Sequence, residues 1–225
     1  HQVSPFGARG ANSGFEDAQN IAWKLDAVIN GQAGPELVAS YGIEREMAAD
    51  DNIGPSTRAT DFISPKSGMA LTFRDATLDL ARRFDFAKSL VNSGRLSRPT
   101  CYGAGGLNTP DEDDWQAALS PGSAALDAPL ADGDGERVWL NDLLDGQFTL
   151  ICHEAEPPAA LPEGIRLLVT GKDITDTEGL FAKRYDAEPG SCFLFRPDQY
   201  LCGRWRQFNP AKVQAAHRRA LGDAT

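Results

Sequence analysis

Basic residues are scarce in this chain of 225 residues: 22 Lys and Arg stand against 32 Asp and Glu, which gives a formal net charge of −10 at pH 7. A chain of that sign lacks the basic footprint of nucleic-acid binding and the polybasic surface that anionic lipids attract. No stretch approaches the ~20 apolar residues that cross a bilayer, and no basic segment followed by an apolar core marks a signal peptide. We therefore expect a globular cytoplasmic protein that binds neither nucleic acid nor a membrane.

Cysteine is also scarce, and the spacing of the four cysteines argues against two common kinds of site. They are Cys101, Cys152, Cys192 and Cys202. None forms a Cys-x-x-Cys pair for dithiol exchange, and none has zinc-finger spacing with a histidine, so we assign no metal site. The last three lie in apolar, strand-like runs, which are typical of reduced thiols buried in a core. The spacing leaves a disulfide among them as an alternative.

A glycine-rich loop opens the chain and leads into a predicted helix. Three glycines let the backbone turn tightly and approach a ligand closely, because no Cβ stands in the way: Gly7, Gly10 and Gly14. Pro5 stiffens the entry to this loop. Ser13 and Glu16 have the spacing of a capping box, which predicts that the helix begins at Ser13. A glycine loop at a helix N-terminus presents unpaired N–H groups and the positive end of the helix dipole, which suit an anion.

The predicted helix carries a stripe of apolar residues at helical rather than strand spacing: Phe15, Ala18, Ile21, Ala22, Leu25, Val28 and Ile29. Such a stripe is typical of the packed face of an amphipathic helix. Gly31 then provides a stop signal, because glycine readily adopts the left-handed conformation that ends many helices.

The pattern His-x3-Pro-x4-Gly-x-Asn-x4-Asp over residues 1–17 resembles the second flavin-contacting motif of the FAD-dependent aromatic hydroxylases, the class A flavoprotein monooxygenases that include phenol hydroxylase. The resemblance implies that Pro5 lies beside the flavin ring. It also implies that Gly10, Ala11 and Asn12 offer backbone or side-chain donors to the pyrimidine edge of the flavin. Fixed donors there would stabilise the negative charge of the reduced ring.

A second helix is predicted from residue 35 to about residue 52, and a third, with a broad apolar face, from about residue 69 to 91. In the second helix, Glu44 and Arg45 are similar to the Tyr-x-x-Glu-Arg segment that follows the flavin motif in these hydroxylases. We interpret them as charges on an exposed helix surface. Asp17 closes the flavin motif by resemblance, or serves only as a favourable charge near the helix N-terminus.

A linker rich in proline and glycine is expected at residues 97–125, after which short apolar runs dominate. They predict strands at 138–140, 148–152 and 165–169, and a short helix at 177–185. A hairpin is predicted at 191–205 and a terminal helix at 210–221. This order, and the phrase Leu-Phe-Arg-Pro-Asp-Gln-Tyr at 194–200, resemble the thioredoxin-like end of phenol-hydroxylase-type enzymes. The expected fold class is α/β: a helical segment from the flavin domain at 1–96, followed by a C-terminal thioredoxin-like α/β domain at 126–225.

No catalytic residue is assigned, because no Ser/His/Asp or Cys/His arrangement can be assembled from the sequence. His153 and Glu154 are interpreted as a polar loop start at a strand end. His217, which lies among arginines on the last predicted helix, is interpreted as part of a solvated face. The acidic run at residues 111–114 is interpreted as a solvated loop, because adjacent carboxylates bind a metal only where their geometry converges.

By resemblance, the full protein is expected to use NADPH and FAD to hydroxylate an aromatic, phenol-type small molecule, and to form a homodimer. The chain lacks the Gly-x-Gly-x-x-Gly βαβ unit that binds a dinucleotide, and it begins within the flavin motif. We therefore expect the C-terminal portion of a longer enzyme, which alone neither holds FAD tightly nor turns over. The alternative is a non-catalytic thioredoxin-like module for interaction or dimerisation.

Overall fold

The structure is a computed structural model that describes three stretches of the chain: residues 10–91, 99–156 and 160–223. Its contacts group the chain into two compact units, of which the first holds residues 1–18 and 43–100 and the second holds residues 19–42 and 101–225. In the described stretches, no helix is both long and apolar enough to cross a membrane. The domain limits expected from the sequence, at residues 1–96, 97–125 and 126–225, remain a prediction.

Helices make up the regular structure of the first unit. They are parts of α1 (Gly10–Ile29) and α2 (Pro35–Ile63), together with all of α3 (Gly68–Arg83) and α4 (Asp85–Val91). The predicted glycine stop of α1 is confirmed, because Gly31 has a φ of +70° directly after the helix. In contrast, α2 continues beyond its predicted end near Asn52, although Pro55 lacks the N–H that would bind the carbonyl four residues earlier.

The predicted third helix is divided into α3 and α4 at Phe84. Phe84 has extended torsion angles (φ −135°, ψ 130°), while its N–H still bonds the carbonyl of Leu80 at 2.8 Å. Asp85 then starts α4 with a carboxylate in the first turn, where the helix dipole favours negative charge. The large apolar side chains of these helices and of the residue between them are exposed: Met69, Leu71, Phe73, Leu78, Leu80, Phe84 and Phe86.

The second unit contains both sheets. Its strands are β1 (Pro129–Ala131), β2 (Arg137–Trp139), β3 (Phe148–His153), β4 (Ile165–Thr170), β5 (Cys192–Phe195) and β6 (Leu201–Trp205). β1 and β2 form an antiparallel pair, and the other four form a sheet of order β4-β3-β5-β6. β3 and β4 run parallel, whereas β5 is antiparallel to both β3 and β6. The predicted strands and hairpin are confirmed; β1 was not predicted.

Apolar layers cover both faces of the four-stranded sheet. Every residue of β3, β5 and β6 is buried, which explains why these strands read as continuous apolar runs rather than as alternating patterns. Leu150 packs in the same cluster as Val213 of helix α7 (Pro210–Ala220). The next residue, Ile151, packs on the opposite face with Phe181 of helix α6 (Leu180–Tyr185). A one-turn helix, α5 (Leu140–Leu143), follows β2.

The cysteines agree with the interpretation as reduced core residues. Cys152, Cys192 and Cys202 are free thiols, fully buried in the cluster that contains Leu150. Cys101 is also a free thiol, but it is exposed. The alternative of a disulfide among the four is not realised in this structure.

Candidate functional site

The flavin motif expected from the sequence falls on the start of α1. Gly10, Ala11 and Asn12 form the first described turn of this helix, and Pro5 lies outside the described residues. The N–H groups of a first helical turn have no partner inside the helix, and they lie at the positive end of its dipole. Ala11 and Asn12 are exposed, and a Cβ added at Gly14 would meet no atom within 4 Å. Ala11, Asn12 and Gly14 therefore lie at the surface of the described part of the chain.

The predicted helix start at Ser13 is wrong, because α1 includes the preceding turn from Gly10. Ser13 is buried, and its hydroxyl oxygen has no hydrogen-bond partner among the described residues. Glu16, the predicted second half of the capping box, instead accepts a hydrogen bond at Oε2 from Nη2 of Arg45, at 3.1 Å. A tertiary ion pair therefore replaces the local capping interaction.

Arg45 of α2 holds the first turns of α1. Its side chain is 1% exposed; Nε donates to Oδ1 of Asp17 at 2.5 Å, and Nη2 donates to the carbonyl oxygen of Ser13 at 3.3 Å. The interpretation of Glu44 and Arg45 as exposed charges is wrong, since both are buried. Asp17 is more than a charge near a helix end, because its carboxylate compensates a guanidinium that would otherwise be buried at a high free-energy cost.

The buried face of α1 is largely polar, which reverses the expected pattern. Four buried polar residues recur at helical spacing: Ser13, Asp17, Asn20 and Lys24. Most of the predicted apolar stripe is exposed, with 73% of the surface of Phe15 and 80% of that of Ile29 accessible. Within this chain, hydrophobicity alone therefore does not identify the face of α1 that is buried.

A second buried arginine lies at the β5–β6 hairpin. Arg196 is fully buried; its Nε and Nη2 donate to the two oxygens of Asp198 at 2.9 and 2.6 Å. Asn20 of α1 donates to the same carboxylate at 3.1 Å. The guanidinium carbon also lies 5.4–5.8 Å from the ring centroids of Trp23, Tyr102 and Tyr200, within the range of cation–π attraction. In the sequence, the sign of this cluster is a charged residue, Arg196, directly after an apolar strand run.

An open cleft of about 1140 Å³ lies within the second unit. Trp23, Phe148 and His217 contribute aromatic rings to its lining. Its acidic lining residues are Asp26, Asp145 and Glu163, and the described lining residues include no lysine or arginine. The cleft therefore has the wrong sign for the diphosphate of FAD or NADPH, which protein sites usually hold with N–H groups and cations.

Two titrating groups of the cleft, His217 and Asp145, have lowered pKa values. Burial lowers the pKa of His217, which contacts the ring of Phe148 edge-on at 4.6 Å. The interpretation of His217 as solvent-exposed is therefore wrong, because this face of α7 packs on the sheet. The pKa of Asp145 is lowered, first by a hydrogen bond from the Gln147 side chain and also by Arg166. Near neutral pH, the cleft therefore combines the neutral imidazole of His217 with the ionised carboxylate of Asp145.

The remaining sequence candidates have structural roles. His153 ends β3 as a buried residue, not as part of a polar loop; its Nδ1 lies 2.8 Å from the hydroxyl of Thr170, and burial lowers its pKa. In the acidic run, Asp111 forms a two-pronged ion pair with Arg204 of β6 at 2.9 and 2.7 Å. This run therefore fixes a loop onto the sheet, rather than being freely solvated.

Comparison with known proteins supports the flavin interpretation. A family described as "FAD binding domain" matches residues 1–54. The 3-(3-hydroxy-phenyl)propionate/3-hydroxycinnamic acid hydroxylase of Mycobacterium sp. (strain JLS) is 28% identical over 90% of this chain. The 6-methylpretetramide 4-monooxygenase of Streptomyces rimosus is 27% identical over 96% of this chain. Over most of its length, this chain is similar to proteins named as hydroxylases and monooxygenases.

The hydroxylase relationship extends along the chain, but it covers only part of each relative. The chain spans 40% of the Mycobacterium hydroxylase and 43% of the Streptomyces monooxygenase. The fold is shared with the flavin-dependent monooxygenase PieE in complex with FAD and substrate: the TM-score is 0.69 at 21% identity, over 100% of this chain and 46% of PieE. Aklavinone-11 hydroxylase with FAD and aklavinone gives a TM-score of 0.68 at 20% identity, over 98% and 42%.

Proposed function

We propose that this chain is the C-terminal portion of an FAD-dependent monooxygenase that uses NADPH to hydroxylate a phenol-type aromatic substrate. The observation that carries the proposal is the start of α1, where an exposed first turn that matches the flavin motif is held in place by a buried arginine. Relatives named as hydroxylases and monooxygenases, and the matching FAD-binding family, support the reaction class.

The residues at the start of α1 fit one edge of a flavin. Gly10, Ala11 and Asn12 would hold the pyrimidine edge with N–H donors, and Pro5 would lie against the ring. When bound, FAD supplies the redox chemistry, which includes its reduction by NADPH and the activation of dioxygen. The residues of this chain position the ring and place the positive end of the helix dipole where negative charge develops. Arg45 keeps these donors in place through Asp17 and Glu16.

We also propose a fold and a structural role for the C-terminal half of the chain. Two parallel strands, an antiparallel hairpin and a final helix, in the sheet order β4-β3-β5-β6, support a thioredoxin-like domain at residues 126–225. A linker at 97–125 would join it to a segment of the flavin domain at 1–96. Without a Cys-x-x-Cys pair, its role would be structural, at the interface of a cytoplasmic homodimer. The dimer would bind its aromatic substrate in the part of the enzyme that relatives have beyond this chain.

The proposal is tested on the longest polypeptide that contains this chain. We expect the purified protein to carry FAD, to oxidise NADPH faster when a phenol is added, and to incorporate an oxygen atom from labelled dioxygen into the product. The 225-residue chain alone should hold FAD weakly and show no turnover. A longer protein that dimerises but binds no flavin, at any FAD concentration, would instead support the non-catalytic interaction module.

A further inference from the structure

Two buried thiols face each other across the central strands of the four-stranded sheet. Cys152 of β3 and Cys192 of β5 are direct partners in the antiparallel register, and their Sγ atoms are 3.3 Å apart. Opposed residues on antiparallel strands have Cα atoms about 4.5–5.5 Å apart, and disulfides span Cα separations of about 4.4–6.8 Å. A small movement of the two sulfurs is therefore enough to bring them to bonding distance without separating the strands.

The two thiols are not equivalent. The Cys192 thiol donates a hydrogen bond to the sulfur of Cys152, and this bond lowers the pKa of Cys152 against the opposing effect of burial. The same bond, together with burial, raises the pKa of Cys192. Because the thiolate is the nucleophile, Cys152 is the better attacking sulfur, and Cys192 is placed to react with it next.

The pair lies at the end of the β3–β5 ladder, and not in its middle. Cys152–Cys192 is the last register pair between these strands. Beyond it, the N–H of His153 donates to the carbonyl oxygen of Ser191 and the N–H of Gly190 donates to that of His153, both at 2.8 Å. Glu154 and Gly190, two positions from the cysteines, have positive φ values of 44° and 97°. A water-sized oxidant would reach the buried sulfurs by local opening that breaks these bonds, and opening at a strand end breaks fewer hydrogen bonds than opening in the centre.

The other cysteines lack this arrangement. Cys202 is fully buried and its thiol donates to the carbonyl oxygen of Leu194 at 3.4 Å. Cys101 is exposed beside the hydroxyls of Ser120 and Ser123. Cys202 is therefore the control for a buried thiol, and Cys101 is the control for an exposed thiol.

We propose that Cys152 and Cys192 are a redox-active dithiol that a hydroperoxide converts into a cross-strand disulfide. The sulfur of Cys152 attacks the peroxide, the O–O bond breaks, and a sulfenic acid and one water form when hydrogen peroxide is the oxidant. The sulfur of Cys192 then attacks that of Cys152, the S–O bond breaks, and a second water leaves. Two electrons pass from the two thiols to the peroxide, and a thiol reductant reverses the change.

This inference is independent of the proposed monooxygenase activity, because it uses only the sheet geometry. The sequence alone did not predict this dithiol, because the two cysteines are 40 positions apart and the strand register brings them together. The bond would link β3 to β5, the two central strands of the sheet.

The test is differential alkylation of the native protein. Native samples are treated with hydrogen peroxide and the peroxide is removed. The protein is then denatured, its free thiols are alkylated, and it is digested without reduction for mass spectrometry. We expect one new crosslinked peptide pair containing Cys152 and Cys192, the loss of two alkylatable thiols, and full recovery after reduction. The proposal is overturned if both cysteines stay alkylatable while Cys101 is oxidised, or if they end as sulfinic or sulfonic acids with no link.

Cysteine variants show which sulfur attacks the peroxide. Whether the disulfide forms is decided by the wild-type crosslink, even where a variant fails to fold. Cys202→Ala should form the same crosslink, whereas Cys152→Ala and Cys192→Ala should form none. Cys192→Ala should trap a sulfenic acid on Cys152 that dimedone labels. Preferential labelling of Cys192 in Cys152→Ala, with none on Cys152 in Cys192→Ala, would reverse the assignment of the attacking sulfur.

Discussion

The two buried arginines compensate their charge in different ways. Arg45 joins two helices, and two carboxylates and one carbonyl oxygen of α1 accept its hydrogen bonds. Arg196 lies at a hairpin, pairs with one carboxylate, and is surrounded by three aromatic rings. Both clusters use polar residues of α1, and for that reason its buried face is polar. Within this chain, charge pairing therefore accounts for the buried face of α1.

The largest effect is expected from Arg45→Met. The substitution leaves Asp17 and Glu16 without their shared cation, and breaking a buried ion pair costs about 3–5 kcal/mol; with two carboxylates affected, we expect the upper end. Urea unfolding should show the loss, and hydrogen exchange should increase first at residues 13–17. Arg58→Met, an exposed position on the same helix, is the control, with a change below about 0.5 kcal/mol. Equal losses in the two variants would refute the Arg45 assignment.

A smaller loss is expected from Arg196→Met, about 3 kcal/mol, because Asp198 keeps the hydrogen bond from Asn20. The exchange increase should be at residues 20–24 and 196–200 and not at residues 13–17. Arg218→Met, on the exposed side of α7, serves as the matched control. In the full-length enzyme, FAD occupancy should fall more in the Arg45 variant than in the Arg196 variant. The opposite order would contradict the role proposed for Arg45 at the start of α1.

His217 extends the comparison to a basic group whose pKa is lowered by burial. Its pKa is lowered by burial from the ordinary value of 6.5, so the unfolded chain binds the proton more tightly than the folded chain. The contribution of His217 to stability is therefore complete above pH 6.5 and declines as the pH falls below that value. His217→Gln should reduce the slope of unfolding free energy against pH in this window. An unchanged slope would show that His217 does not titrate as a buried group.

The smallest effect is expected from Arg83→Gln. Arg83 and Asp79 form an ion pair at 3.3 Å on α3, but their side chains are 68% and 55% exposed. Exposed pairs contribute about 0–1 kcal/mol because water and salt screen them, and we expect a change near zero in 0.5 M salt. A loss as large as that of Arg196→Met would show that burial does not explain the difference between the clusters.

Local patterns predicted the elements of the second unit well, but not the burial of its polar residues. Apolar runs such as 148–152 and 165–169 identify strands because burial on both faces removes the alternation. His217 and the acidic run were misjudged, since their partners lie far away in sequence. Asp111, for example, is 93 positions from Arg204. No local window contains both members of such a pair.

The sequence by itself determined the flavin motif, the positions of most helices and strands, and the presence of three core cysteines. These features depend on residues that are neighbours along the chain. Tertiary structure alone decided that α1 buries its polar face, that Arg45 replaces the capping box, and that Cys152 faces Cys192. The reason is physical: the free energy of a buried charge or a paired thiol depends on the partner, and the fold supplies that partner from a distant part of the chain.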